Sequence, residues 1–428
     1  MTLFGSSGIR GIIDKKFLEL VFEVGLSVGS SYRPVVVGCD TRTSSSALKH
    51  AFISALLSAG SRCHDAGTIP TPTLAYAARE FEAGAMLTAS HNPPQYNGIK
   101  LCNPDGSAFD SAQRERIEEM VRNRNLELAS WEVMETSRTY PQAIGEHIDR
   151  ILQDFGNGFK IKVVLDCGCG AASLVTPHLL RRMGCEVLAL NCDPSGYFPR
   201  GIEPTPENLG MLVQAVKSSG ADLGIAHDGD GDRMVAVDDT GRFIPGDKLL
   251  TLFARELEAG QVVTTVDASM AVEESGFEVI RTRVGDAFVS EELRKGGGFA
   301  GEPSGSWIFP TVSYCPDGIY AAAQITRIAC EKRLSKLVDD LPSYPILRGS
   351  VRGEGVIMER VQHRLMEMEP VSVSTIDGLR LSFGDGWLLI RPSGTEPKIR
   401  LTAEARSQAK AQKLYDLGIE AIKECIKG

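Results

Sequence analysis

No stretch of this chain approaches the ~20 apolar residues that a membrane-spanning helix needs, so no membrane partner is expected. Met1 to Arg10 runs straight into a Gly/Ser loop, without the cationic and then apolar stretch of a secretory signal. A soluble, cytoplasmic protein is the expectation. A basic surplus is missing too. Lys plus Arg number 46 against 55 Asp plus Glu, a formal charge of −9, which leaves little to neutralise a nucleic-acid backbone. Small phosphorylated ligands are not excluded, because a few cations and backbone amides suffice for them. Cysteines at metal spacing are also lacking. The ten are scattered, and the one close pair, Cys167-Gly168-Cys169, has no second pair to join it. Reduced structural thiols are expected; Cys39 and Cys102 lie in apolar stretches as small hydrophobes. Nor is there a G-x-S-x-G nucleophile elbow, since Gly301-Glu302-Pro303-Ser304-Gly305 has the wrong spacing.

What is present is a chain of 428 residues, too long for one core and enough for three or four domains of ~100–150 residues. Short apolar strands alternate with longer amphipathic stretches, which predicts α/β layers. Strands are expected at Pro34–Cys39 and Gly84–Thr88, with helices at Ser44–Ala59 and from Ser111 to about Asn125. A second unit opens with strand Ile161–Asp166, continues through helical Leu174–Met183, and ends in the pair Asp222–His227 and Met234–Val237. A third has helical Lys248–Leu257, strands Val262–Val266 and Phe277–Thr282, and one long helix from Asp317 towards Leu341. After a linker at Pro342–Pro345, the last region reads as a helix at Met358–Met368, strands Leu379–Phe383, Trp387–Arg391 and Lys398–Ala405, and a terminal helix Ser407–Lys427. The expected division is 1–140, 141–240 and 241–344 as α/β domains, and 345–428 as a smaller α+β domain with an antiparallel sheet.

The densest chemical signal is His227-Asp228-Gly229-Asp230-Gly231-Asp232-Arg233. Three carboxylates separated only by glycine repel one another unless a cation joins them. A small set of hard oxygen ligands suits Mg²⁺, which keeps positions for water and substrate phosphate. An EF-hand would need glycine where Arg233 stands and helices where strands flank. A solvated acidic turn is the bland alternative. The second signal is Thr88-Ala89-Ser90-His91-Asn92-Pro93 at a strand end, followed by Asn97-Gly98-Ile99-Lys100. Such a loop presents the Ser90 hydroxyl, although a turn-forming serine reads the same in isolation. In an extended chain the Ser90 and His91 side chains would diverge. Arg391-Pro392-Ser393-Gly394-Thr395-Glu396-Pro397 offers a guanidinium, hydroxyls and free amides as a phosphate cradle, or a plain hairpin turn. Glu302 and Ser304 offer a carboxylate and a hydroxyl for sugar. Gly5-Ser6-Ser7-Gly8-Ile9-Arg10-Gly11 brings a cation on a glycine-rich loop. Against these stands Val163-Val164-Leu165-Asp166-Cys167-Gly168-Cys169-Gly170, which looks like the first motif of methyltransferases. A lone glycine-rich turn after a strand is weak support for that.

Taken together, these segments resemble the α-D-phosphohexomutase family of phosphoglucomutase, phosphomannomutase and phosphoglucosamine mutase, with all four signature loops in family order. The resemblance implies three α/β domains with mixed sheets and a smaller fourth, arranged around a central cleft. It implies a Mg²⁺-dependent isomerase that moves phosphate between the 6- and 1-positions of a hexose through a hexose 1,6-bisphosphate, which also serves as activator. Carried over, Ser90 is the phosphoserine and, with Asp228, Asp230 and Asp232, a ligand of the metal. Ser90, Arg10, Lys100 and His91 form the candidate catalytic set. Arg233, Asp286, Glu302 and Ser304 face the substrate. Arg391, Ser393, Gly394, Thr395 and Arg400 belong to the grip on the phosphate that is not in transit. Two departures bear on proton transfer: Ser306 stands where many relatives carry histidine, and Asp286 near where some phosphomannomutases do, which leaves Lys100 and Arg10 as the candidates. Gly285-Asp286, Gly305-Ser306-Trp307 and Ser393-Gly394-Thr395-Glu396 look most like phosphoglucosamine mutases, archaeal-type members in particular. Glucose or mannose phosphates are the alternative substrates. A methyltransferase and a catalytically silent metal- or sugar-binding protein are the competing classes. Oligomeric state is not legible, because an apolar surface patch reads like core.

Overall fold

The structure, a computed structural model, describes residues 3–5, 7–123, 126–352, 358–392 and 398–425. It contains four sheets, each with its own helices. The first is built from β1 (Ile9–Ile12), β2 (Val35–Cys39), β3 (Cys63–Thr68), β4 (Ala83–Leu87), β5 (Tyr96–Cys102) and β6 (Ser137–Thr139), in the order β1-β5-β4-β2-β3-β6. β2 pairs parallel with β3 and β4, whereas β5 runs antiparallel between β4 and β1. β2 and β4 are buried along their whole length, as apolar runs covered on both faces must be.

The second sheet holds β7 (Lys162–Asp166), β8 (Glu186–Leu190), β9 (Leu223–His227) and β10 (Met234–Val237), in the order β10-β9-β7-β8. The third holds β11 (Gln261–Thr265), β12 (Glu278–Thr282), β13 (Phe299–Glu302) and β14 (Ser306–Ile308), in the order β12-β11-β13-β14. In each of these two sheets three strands are parallel and one edge strand is antiparallel. The expected long helix is two: Gly318–Glu331 and Leu334–Asp339. Lys332 is extended between them, and the break lets Leu334, Leu337 and Val338 turn into the core.

The fourth sheet is antiparallel throughout: β15 (Ile346–Arg352), β16 (Ser372–Ser374), β17 (Leu379–Phe383), β18 (Gly386–Pro392) and β19 (Lys398–Ala405), in the order β15-β19-β18-β17-β16. Its faces divide by the alternation of a strand. Leu388 and Ile390 join the core under helices Met358–Met366 and Gln408–Glu424, while Trp387 and Leu389 pack with Val266 of the third domain. Among the described residues no helix is long and apolar enough to cross a membrane. All ten cysteines are free thiols.

Candidate active site

The Ser90 loop leaves β4 under tight control. Ser90 adopts a left-handed backbone, with φ 48°, a conformation that costs a non-glycine residue ~1–3 kcal/mol and persists only where the surroundings enforce it. The enforcement comes from Arg42, which is buried. Its guanidinium donates to the carbonyls of Ser90 and Asn92 at 2.7 Å, Pro93 at 2.9 Å and Tyr96 at 3.0 Å, and its Nε to Asp40 at 3.1 Å. Asp40 also accepts from Thr88 Oγ1 at 2.7 Å and Ser45 Oγ at 2.5 Å. Because Ser90 is not extended, its side chain and that of His91 do not diverge: Ser90 Oγ lies 3.3 Å from His91 Nδ1. Arg42 escapes a sequence reading, although Asp40-Thr41-Arg42 directly after a buried strand was the available signal.

The acidic loop joins β9 to β10, and it meets Ser90 head-on. Ser90 Oγ donates to Asp228 Oδ2 at 2.7 Å. One oxygen from each of Asp228, Asp230 and Asp232 lies within 4.8 Å of the others, and all three residues are buried. Lys100, on β5, reaches Asp230 Oδ2 at 2.7 Å and Asp232 Oδ2 at 2.5 Å. Asp228 Oδ1 accepts from the amides of Gly231 and Arg233. These bonds leave Asp230 Oδ1 and Asp232 Oδ1 buried without a partner among the described residues. Unpaired buried carboxylate oxygens are costly. A cation bound by oxygens is what such a set lacks, so the residues present fit one.

The electrostatics follow from that crowding. Burial, together with Asp232 and Asp230, pushes Asp228 well up, and burial with Asp230 raises Asp232. For Asp230 burial acts the same way but is outweighed by Lys100, which holds it below the usual range. Burial would lower Lys100, yet Asp230 and Asp232 outweigh it and keep the ammonium charged. Arg233, burial, Arg10 and Lys100 hold His91 far below its ordinary value, so its imidazole is neutral. Burial lowers Arg10, which donates to Asn92 Oδ1 at 2.7 Å.

Residues of the third domain touch the first two. Arg233 forms a backbone bridge with Ser306 and an ion pair with Glu203 at 2.9 Å. Asp286, at the start of helix Asp286–Leu293, accepts a short hydrogen bond from Ser7. Glu302 ends β13 and is buried; burial and then Asp286 push its carboxyl up to about 8. Ser304 is exposed. Arg391 donates to Asp377 Oδ2 at 3.1 Å, and the same oxygen accepts from the Val284 amide at 3.0 Å, tying the fourth domain to the third. Arg400 sits opposite Arg391 on β19, exposed. Ser393, Gly394 and Thr395 lie outside the described residues. The methyltransferase-like turn packs against the acidic loop: a Cβ on Gly170 would stand 2.6 Å from the Gly229 carbonyl.

Comparison with known proteins gives one answer. Residues 1–127, 139–241 and 245–344 match the phosphoglucomutase/phosphomannomutase alpha/beta/alpha domains I, II and III, and 356–417 match the C-terminal domain. A relative from Methanosarcina acetivorans, named "Probable phosphoglucosamine mutase", is 49% identical over the whole of both chains. One of the same name from Pyrococcus horikoshii is 42% identical, covering 99% of this chain and 98% of its own. The crystal structure of a phosphoglucomutase/phosphomannomutase family protein from Burkholderia thailandensis superposes with a TM-score of 0.89 at 29% identity, over 99% of this chain and 97% of that one. N-acetylphosphoglucosamine mutase of Aspergillus fumigatus shares the fold at 15% identity, with a TM-score of 0.63 over 99% of this chain and 96% of that one.

Proposed function

The chain belongs to the phosphoglucomutase/phosphomannomutase family of phosphohexomutases, and we propose that it interconverts glucosamine 6-phosphate and glucosamine 1-phosphate through a phosphorylated Ser90. The observation that carries the chemistry is the 2.7 Å contact between Ser90 Oγ and Asp228, beside two buried carboxylate oxygens that have no partner among the described residues. The amino sugar is favoured by the relatives named phosphoglucosamine mutase, 49% and 42% identical along nearly the whole chain.

In this reading Asp228, Asp230, Asp232 and the Ser90 phosphate hold Mg²⁺. When bound, it neutralises charge on the phosphoryl oxygens and aligns them. Phosphoryl transfer passes through a loose transition state, so alignment and charge neutralisation dominate. The bond from phosphorus to Ser90 Oγ breaks as one to a sugar hydroxyl forms, and the proton that hydroxyl gives up ends on Ser90 Oγ, which is left as a free serine. Arg10, Lys100 and Arg233 surround the moving phosphoryl. Lys100, held charged, acts as a fixed cation, and neutral His91 adds no charge beside the serine. The resulting hexose 1,6-bisphosphate turns end over end and returns its other phosphate to Ser90. Glu302 and Ser304 hold sugar hydroxyls beside Asp286. Arg391, Ser393, Gly394, Thr395 and Arg400 grip the phosphate not in transit. With domain divisions at 140, 240 and 344, hinge motion about residues 342–345 would exclude water from the phosphoserine.

Intact-mass measurement tests the first half: a phosphate adduct is expected on the purified chain and none on Ser90→Ala, which should also be inactive. Turnover of glucosamine, glucose and mannose phosphates, each with its matching bisphosphate, tests the second. Faster turnover of the glucosamine phosphate is expected; equal rates on all three would defeat the aminosugar assignment.

A further inference from the structure

Away from the substrate loops, a hydroxyl, an imidazole and a carboxylate lie in series. Thr73 Oγ1 is 3.0 Å from His147 Nδ1, and His147 Nε2 is 2.9 Å from Asp317 Oδ2. The order is that of a nucleophile triad, but Thr73 and His147 are 0% exposed and Asp317 1%. The ring of Tyr76 also stacks on His147 at 5.4 Å. No substrate reaches this hydroxyl. His147 thus faces the carboxylate with one ring nitrogen and the hydroxyl with the other.

Both ends of the series lead to the acidic loop. Thr73 belongs to the helix Thr71–Ala77, whose first residue donates its hydroxyl to Asp230 Oδ2 at 2.6 Å and its amide to the Asp230 carbonyl at 2.9 Å. Asp317 caps helix Gly318–Glu331, accepting from the Ile319 and Tyr320 amides. Gly318 beside it is so close to the acidic loop that a Cβ there would stand 2.5 Å from the Arg233 carbonyl and 2.7 Å from that of Gly231. The series therefore links two elements that bracket the loop. It joins them through His147 of a third, the helix Ala143–Phe155.

We propose that Thr71, fixed by the Thr73–His147–Asp317 series, is a positioning residue that presets the Asp230 carboxylate for its cation. Thr71 and Lys100 both bind Oδ2, which fixes the carboxylate plane and leaves Oδ1 as the oxygen without a partner among the described residues. A hydroxyl is suited to this because it donates without adding charge that would compete with the cation. Partners of this kind orient metal-binding groups, and their loss costs 10–100-fold in metal affinity or activity. The inference rests on the reading that the three aspartates hold a divalent cation.

The test is calorimetric titration of the chelator-treated full chain with MgCl₂, for the wild type, Thr71→Val, Thr71→Ser and Thr73→Val. Thr71→Val should weaken Mg²⁺ binding about tenfold or more, and Thr71→Ser should restore it. At saturating Mg²⁺, KM for the phosphosugar should match wild type. Should Thr71→Val fail to fold, Thr73→Val carries the same direction with a smaller loss. Wild-type affinity in both valine variants, or a Thr71→Ser as weak as Thr71→Val, overturns this inference alone. A wild-type chain that binds no Mg²⁺ overturns the cation reading and this inference with it.

Discussion

The hydroxyl oxygen of Ser90 lies 2.7 Å from Oδ2 of Asp228, a residue 138 positions later in another domain. Two local devices make that meeting possible. Arg42 holds the Ser90 loop by four carbonyls, which keeps Ser90 in its left-handed conformation. Gly229 lets the acidic loop slide under it, since only a missing side chain permits so close an approach.

The second device can be tested directly. A Cβ at Gly229 would stand 2.6 Å from the Ser90 carbonyl and 3.1 Å from Ile202 Cγ2. Backbone cannot swing aside as a flexible side chain can, so the two loops must part. Gly229→Ala should cost about 1–3 kcal/mol in urea unfolding. The larger effect should fall on kcat, by about 10²-fold, because a displacement of that order misaligns the reacting groups. An unchanged kcat would show that the contact does not position Ser90.

The first device carries a stability cost of its own. Arg42 and Asp40 are an ion pair whose side chains are 1% and 0% exposed. Removing one member leaves a buried charge uncompensated, at ~3–5 kcal/mol. Arg42→Ala should therefore lower the urea midpoint sharply and abolish the phosphate adduct proposed on Ser90. Arg42→Lys keeps the charge but loses the planar fork that spans several carbonyls, so it should recover part of the stability and little of the turnover.

Much of this was legible in advance. The acidic loop, the Ser90 loop and Lys100 are short strings whose chemistry is local, and the strands that present them are apolar runs. What was not legible depends on contacts between distant segments. Arg42 is one charged residue after a strand until the carbonyls it binds are seen. The helix Lys15–Ser31 buries Phe17, Val21, Val24 and Val28 at helical spacing and was open to reading, whereas the strand Tyr96–Cys102 breaks its apolar run with Asn97, Gly98 and Lys100, and burial against neighbours decides it. The break at Lys332 follows from where Leu334 packs. The divergence expected for Ser90 and His91 fails because an extended backbone was assumed and tertiary bonds impose a left-handed one.

Lys100 offers a test of the cation through stability alone. Its ammonium is the side-chain cation that bonds directly to both Asp230 and Asp232. Lys100→Met should lower the melting temperature in chelator, as two of the three crowded carboxylates lose their bonded cation. Addition of Mg²⁺ should then recover more of the melting temperature than it adds to wild type, since binding to the native state stabilises it by mass action. Equal Mg²⁺-induced shifts in the two proteins would mean that lysine and cation do not share the same charge.

Glu302 contributes a pH dependence of its own. Burial and Asp286 raise its carboxyl to about 8 in the folded chain, against an ordinary value of 4.5. Between those two values the native state binds a proton that the unfolded state has released. Stability therefore falls as pH rises through that window. The contribution is fully present below 4.5 and is lost by the time pH passes about 8. Glu302→Gln keeps the neutral shape and cannot ionise. Relative to wild type its melting temperature, measured without ligand, should rise steadily from pH 5 to about pH 8 and then level off. Turnover should drop most above about pH 8, where wild-type Glu302 is ionised and the amide cannot replace its carboxylate. A melting-temperature difference that stays flat across this range would show that Glu302 ionises freely in the folded protein.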